Sequence, residues 1–192
     1  MLIAFHKPYG VLSHFTSDGS PNRTLAEFGF PPRVYAIGRL DADSEGLLLL
    51  SDEARWNEQL LHPRHAHERE YWVQVENIPA QDSLAKLQKG MTIQGQKTLP
   101  CRAWLLNPQP QIPVRIPPIR VRKQIPDCWI GLELVEGKNR QVRRMTAAIG
   151  NPTLRLLRVR IGDFRLGDLA SGTWKTLSEP ECRMVAGTVG NT

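Results

Sequence analysis

The chain has 192 residues, 41% apolar and 23% charged, which suits a sizeable globular core and excludes collagen-like, coiled-coil and wholly disordered chains. Lysine and arginine number 25 against 19 acidic residues, a formal +6 that points to a polyanionic partner. Three scattered cysteines with no CxxC pair argue against a disulfide framework or zinc knuckle, and no apolar run suits a signal peptide or a membrane span, so a cytoplasmic protein is expected.

Met1–Phe5 predicts a first strand, stopped by His6-Lys7-Pro8-Tyr9-Gly10. Thr24–Phe28 reads as a short helix closed by Gly29 and Pro31-Pro32. Val34–Ile37 and Leu47–Ser51 read as buried strands, with a loop from Gly38 to Gly46 between them. Asp52–Leu61 is helical by pattern, with Trp56, Leu60 and Leu61 on one side, and Pro63 breaks it. Tyr71–Val75 alternates as a strand, Gln81–Gln88 as a helix and Leu99–Leu106 as a strand.

Residues 107–127 contain six of the fifteen prolines together with Arg115, Arg120, Arg122 and Lys123, which predicts an exposed, basic, semi-rigid loop or edge ribbon. Ile130–Leu134 is a strand, Gln141–Ile149 a helix ended by Gly150-Asn151-Pro152, and Leu154–Ile161 a strand. Ser178-Glu179-Pro180-Glu181 is a capping-box signature for a last helical turn, and residues 185–192 are expected to be a disordered tail. Strands separated irregularly by short helices argue for an α+β class rather than regular βαβ units.

The charge is uneven. Residues 1–100 carry 10 basic and 12 acidic side chains, and residues 101–192 carry 15 and 7. Lys138–Arg165 holds eight cations against Asp163 alone. A field focused in this way attracts polyanions, although charge by itself also fits a solvated basic face.

Three runs could carry chemistry. The first, from Gly38 through Arg39, Asp41, Asp43 and Glu45 to Gly46, precedes four leucines and is an acidic, glycine-bounded loop between apolar strands. A carboxylate there is well placed as nucleophile or base. Asp41, Asp43, Glu45, Gly46 and Asp52 also mimic the spacing of a calcium loop, but Leu49 and Asp52 break that pattern and strands flank it. The second run, Glu136–Met145, leaves a strand and opens a helix, so backbone N–H groups and four cations could grip phosphate or hold a carboxylate. The third, Arg69–Val75, puts Tyr71, Val73 and Val75 on one strand face. Tyr71 is then a base-stacking platform or a core aromatic, the second being the better reading of the residue alone. His62, His65 and His67 lack metal-ligand spacing, so no metal is expected.

In order and spacing, these runs resemble the RsuA-type RNA pseudouridine synthases. Lys7-Pro8-Tyr9-Gly10-Val11 and Gly38-Arg39-Leu40-Asp41-x-x-Ser44-x-Gly46, with Leu47–Leu50, look like the family's first two signatures. Tyr71-Trp72-Val73 is similar to its next strand, with Arg69 where lysine is usual. Gly137–Met145 matches G-x-x-R-Q-[IV]-R-R-M, and Leu157–Gly162 the strand that follows. The resemblance covers about residues 3–183.

It implies a pseudouridine synthase catalytic domain over residues 1–184: a mixed, mainly antiparallel sheet with flanking short helices, in two subdomains around a basic cleft, divided near residues 63–68. The S4 RNA-binding domain of many relatives is not expected, because the chain begins at the first signature. The implied reaction isomerises uridine in ribosomal RNA, with the large-subunit (23S) RNA as target, by a monomer that needs no cofactor. The resemblance makes Asp41 the essential carboxylate, Arg143 its salt-bridge partner, Arg39 the side chain that enters the stack vacated by the flipped uridine, and Tyr71 and Val142 the two faces against uracil. Lys138, Arg140 and Arg144 then hold RNA phosphates. The competing readings are a non-catalytic RNA-binding ribosome-assembly factor and a carboxylate-based hydrolase.

Overall fold

In the computed structural model, which describes residues 1–119 and 124–187, the longest apolar runs become the most deeply buried strands. The strands and helices are, in chain order, β1 (Leu2–Lys7), β2 (Tyr35–Ile37), β3 (Glu45–Ser51), α1 (Arg55–Leu61), β4 (Arg69–Glu76), α2 (Gln81–Gln88), β5 (Thr92–Ile93), β6 (Gln96–Lys97), β7 (Arg102–Leu105), β8 (Asp127–Leu134), α3 (Gln141–Ala148), β9 (Thr153–Ile161), β10 (Phe164–Arg165), β11 (Trp174–Thr176) and α4 (Glu179–Ala186). The architecture is α+β with mixed, mostly antiparallel strand pairing, as the sequence predicts. The chain divides into two units, Met1–Arg69 with the chain from Leu157 onward, and Glu70–Leu156.

In the first unit the strand order is β11-β1-β3-β9, with β2 also on β3 and β10 on β9. β1 and β3 pair antiparallel from Leu2↔Ser51 to Lys7↔Gly46, while β3 and β9 pair parallel at Glu45↔Leu157 and Gly46↔Arg158. Every residue of β3 is buried, because both of its faces are covered and its sequence is apolar without alternation. Leu2, Ala4, Leu47 and Leu49 share a core with Trp56 and Leu60 of α1 and Val185 of α4. Phe5 stacks edge-on against Phe28 and Phe30, with ring centroids at 4.8 and 5.1 Å.

Capping chemistry sets the local ends. Thr24 and Glu27 cap each other at a one-turn helix over Leu25–Phe28, which Gly29 ends in the left-handed conformation. At α4, the Ser178 N–H and hydroxyl both donate to the Glu181 carboxylate at 2.9 Å. The Lys175 ammonium, and then Ser178, pull the Glu181 pKa down to about 2.

Three expectations are corrected in this unit. Val185 is fully buried in α4, so the tail does not begin there; residues 188–192 lie outside the described residues. Leu61 does not join Trp56 and Leu60 but is 43% exposed. The loop expected to run to Gly46 ends sooner, because Glu45 and Gly46 already pair with β9.

In the second unit the first residues of β9 are followed by β4, β8 and β7. β7 and β8 are antiparallel from Arg102↔Glu133 to Leu105↔Ile130. Trp104 lies so close over Gly131 that a Cβ there would come within 2.2 Å of its ring. The proline-rich segment contains no strand among its described residues before Asp127, where β8 begins, and Val114 and Ile116 are 80% and 87% exposed, as expected of a loop. Gln109 ties it down by accepting from the Trp129 N–H at 2.6 Å and donating to the Trp129 carbonyl at 3.1 Å. Arg120, Arg122 and Lys123 lie outside the described residues. The β5–β6 hairpin was not expected; Gln94 and Gly95, both at positive φ, form its two-residue turn.

Candidate active site

The Asp41 loop is held by buried polar groups of the first unit. The Leu40 N–H donates to Ser13 Oγ at 2.9 Å, and the Ser13 hydroxyl donates to the Leu40 carbonyl at 2.6 Å. One buried hydroxyl therefore fixes both peptide groups of the residue between Arg39 and Asp41. The Ser44 N–H closes a turn on the Asp41 carbonyl at 3.0 Å, and the Gly10 N–H reaches the Ala42 carbonyl at 2.7 Å. The last bond joins the loop to the Lys7–Val11 run across 32 positions of sequence, from Gly10 to Ala42. Asp41 is left half-buried and Arg39 exposed.

Lys7 is the residue that sequence reasoning placed in a turn and gave no role. It ends β1, is fully buried, and donates to the Val11 carbonyl at 2.6 Å and the Pro8 carbonyl at 3.0 Å. Burial drives its pKa down to about 7; Glu45, Asp43 and Asp41 push the other way, and Arg158 adds to the depression. A lysine in this setting is a permanent neighbour of the loop carboxylates and has no access to water. At Gly46, φ is +101° and a Cβ would fall 2.3 Å from the Arg158 carbonyl oxygen. Only glycine lets β3 and β9 approach at the foot of this loop. The calcium-loop spacing has no structural counterpart, since Glu45 is buried and the residues after it form a strand.

In the second unit, Tyr71 lies on β4 with Val73 and Val75 and is 8% exposed, in line with the core-aromatic reading. Arg69 of the first unit donates to the Leu60 carbonyl at 2.7 Å, so the residue in the usual lysine position ties β4's start to α1. Val142 is buried, Arg143 and Arg144 are half-buried, and Lys138, Asn139 and Arg140 are exposed.

Glu136 organises this helix start. Its carboxylate accepts from the Leu99 N–H at 2.8 Å and from Gln141 Nε2 at 2.6 Å, with the Lys138 ammonium at 3.2 Å. Burial raises its pKa, but these donors, the Leu99 N–H foremost, outweigh it and hold the carboxyl below its ordinary value. Gln141 in turn accepts from the Lys138 N–H at 3.0 Å.

The expected basic field from Lys138 to Arg165 is only partly a surface. Arg155, Arg158 and Arg160 are buried in β9. Arg155 donates to the Pro113 carbonyl at 2.7 Å, Arg158 to the Leu47 carbonyl at 2.7 Å, and Arg160 to the Gly162 carbonyl and to Glu68. Their charges are used as donors to the chain itself, so the solvent-facing cations are those at the start of α3, with Arg165. Among the described residues no group of three His, Cys, Asp or Glu is placed to hold a metal ion, and no helix is long and apolar enough to cross a membrane.

The family described as RNA pseudouridylate synthase matches residues 1–148. The chain belongs to that family. A ribosomal large subunit pseudouridine synthase E of Xanthomonas axonopodis pv. citri is 54% identical over 171 residues, covering 88% of this chain and 90% of that protein. One from Vibrio parahaemolyticus is 46% identical, covering 92% of this chain and 73% of that protein. Among solved structures, a pseudouridylate synthase crystal structure superposes with a TM-score of 0.77 at 27% identity, covering 94% of this chain and 71% of that one. As a pseudouridine synthase the chain is an isomerase that acts on uridine in RNA, which sets aside both the hydrolase and the non-catalytic assembly factor.

Proposed function

We propose that this chain converts a uridine of large-subunit ribosomal RNA to pseudouridine, acting as a cytoplasmic monomer without a cofactor. The relatives named above support the large-subunit target. The reaction breaks the N1–C1′ bond, turns the uracil and joins C5 to C1′. The C5 proton leaves and N1 gains one, so atoms balance with no oxidant or group carrier. The observation that carries the assignment of the carboxylate is the double pinning of Leu40 by Ser13, which presents Asp41 from a fixed backbone.

In this reading Asp41 acts either as the nucleophile at C1′ or as the base at C2′. Arg143 is the cation paired with it, and Arg39 takes the place of the flipped uridine. Tyr71 and Val142 lie against uracil, and the Tyr71 hydroxyl assists removal of the C5 proton. Lys138, Arg140 and Arg144 bind phosphate.

The test is Asp41→Asn assayed for tritium release from RNA labelled at uridine C5, with RNA affinity measured in parallel. Release should be abolished and affinity retained or raised, because a negative charge is lost where phosphate binds. Asp43→Asn should keep its activity. Tritium release by Asp41→Asn at a rate near wild type would overturn the assignment. Glu45 is no control of this kind, because it is buried in β3 whereas Asp43 is half-buried in the loop.

A further inference from the structure

Between the β5–β6 hairpin and the start of α3 the second unit has an open recess of about 210 Å³. Its floor is buried and already committed: Thr98 Oγ1 accepts from the Met91 N–H at 2.9 Å, and Gln141 is engaged with Glu136 and Lys138. The two walls are locked together, since Lys138 Nζ donates to the Lys97 carbonyl at 2.7 Å while Glu136 takes the Leu99 N–H. The recess is therefore formed before any ligand arrives.

Its rim is different. Gln94 and Gln96 line the opening, and among the described residues their side-chain amides have no hydrogen-bond partner. Lys138 and Arg144 also line the recess, with Arg144 donating to Asn139 Oδ1 at 2.8 Å and so turning the Asn139 amide N–H₂ away from itself.

We propose that this recess is a second nucleotide subsite, in which the Gln94 and Gln96 amides read the edge of one unpaired base while Lys138 and Arg144 hold its flanking phosphate. A planar amide offers a donor and an acceptor side by side, which matches a base edge and is superfluous for a bare anion. The volume is below that of a drug-sized pocket and suits one heterocycle rather than a longer segment. The subsite deepens the proposed function, because it takes a nucleotide of the same RNA and lies on residues distinct from Asp41 and Tyr71. An acidic peptide would be satisfied by the cations alone and would leave the glutamines idle.

The experiment titrates the whole protein with the trinucleotides AAA, CCC, GGG and UUU and with an abasic ribose-phosphate trimer, following the side-chain amide NMR signals of Gln94, Gln96 and Asn139. One base should bind at least about fivefold tighter than the abasic trimer, the lower end of a two-hydrogen-bond base contact. Gln94→Ala with Gln96→Ala should remove that preference while keeping the binding common to all the trimers. Both positions are exposed, so the fold is not at issue. Equal shifts from the abasic trimer would reduce the recess to a phosphate contact, and an absence of shifts with any trimer would leave no subsite; either outcome overturns the proposal. Tritium release by the wild type is measured separately, so failure of the isomerase reading and failure of the subsite give different results.

Discussion

Around Asp41 the groups that shape the backbone are out of solvent: Lys7 and Ser13 are buried, and Gly46 touches Arg158 so closely that no side chain fits. Around Lys138 and Arg144 the framework is just as closely bonded through Glu136 and Gln141, yet the groups facing outward are exposed amides and cations. The first region spends its polar groups on fixing one carboxylate, where a small displacement is costly to chemistry. The second leaves polar groups at its surface, where the proposed subsite would receive a ligand that brings its own charge. Substitutions in the first should therefore change stability or turnover, and those in the second affinity.

The largest effect is expected from Gly46→Ala. The new Cβ would meet backbone of β9, which cannot rotate away, and φ is already positive. A loss of about 4 kcal/mol or more should lower the melting temperature by about 10 °C or more. An unchanged melting temperature would mean that β3 and β9 are not so tightly apposed.

Lys7→Met comes next, and its signature is a pH dependence. Unfolded, Lys7 titrates near 10.5; folded, near 7. Between those values the unfolded chain binds the additional proton, so the wild type gains stability as pH rises, by up to about 1.4 kcal/mol per pH unit. Below about pH 7 the side chain is charged in both states and contributes no slope. The variant has no such group, so denaturation from pH 7 to 10 should show the wild type gaining on it steadily. Parallel curves would mean that Lys7 is not desolvated.

A smaller effect belongs to Ser13→Ala, which strips Leu40 of a donor and an acceptor at once. About 1–3 kcal/mol of stability should be lost. The turnover number should fall more than KM changes, since the loop is loosened while the RNA contacts remain. A change confined to KM would place Ser13 outside the support of Asp41.

The smallest is Arg144→Ala. It should weaken RNA binding by about threefold and flatten the slope of log K against log salt by about 0.7, the share of one phosphate on a single strand. Its turnover at saturating RNA should be close to wild type, and an unaltered salt slope would remove Arg144 from the phosphate contacts.

Much of the framework was legible because it rests on local rules. α2 spans Gln81–Gln88 as its periodicity predicts, and the Ser178–Glu181 box opens α4 where it should. The Asp41 loop was legible from its glycines and acids, and the start of α3 from its strand-to-helix pattern. What escaped has a common cause. β5, β6 and β11 have two or three residues each, too few for a period, and form only because a partner is present. Lys7 reads as part of a turn and Ser13 gives no signal in the sequence, because the carboxylates that face Lys7 and the Leu40 peptide groups that hold Ser13 come from the distant Asp41 loop. Arg155, Arg158 and Arg160 were counted as surface charge for the same reason: sequence shows the charge and not the carbonyl it finds.

The parallel pairing of β3 with β9 also has a temporal side. The second unit is one continuous segment, Glu70–Leu156, so all of its residues have been synthesised before the first unit is complete. The first unit closes later, because Gly46 meets Arg158 and β1 meets Trp174–Thr176 only after those residues have been synthesised. Asp41 is translated early, yet its loop gains its full support late. During elongation the start of α3 is complete with its unit before the Asp41 loop gains its support, so on the roles proposed above phosphate binding becomes available to a nascent chain before chemistry does.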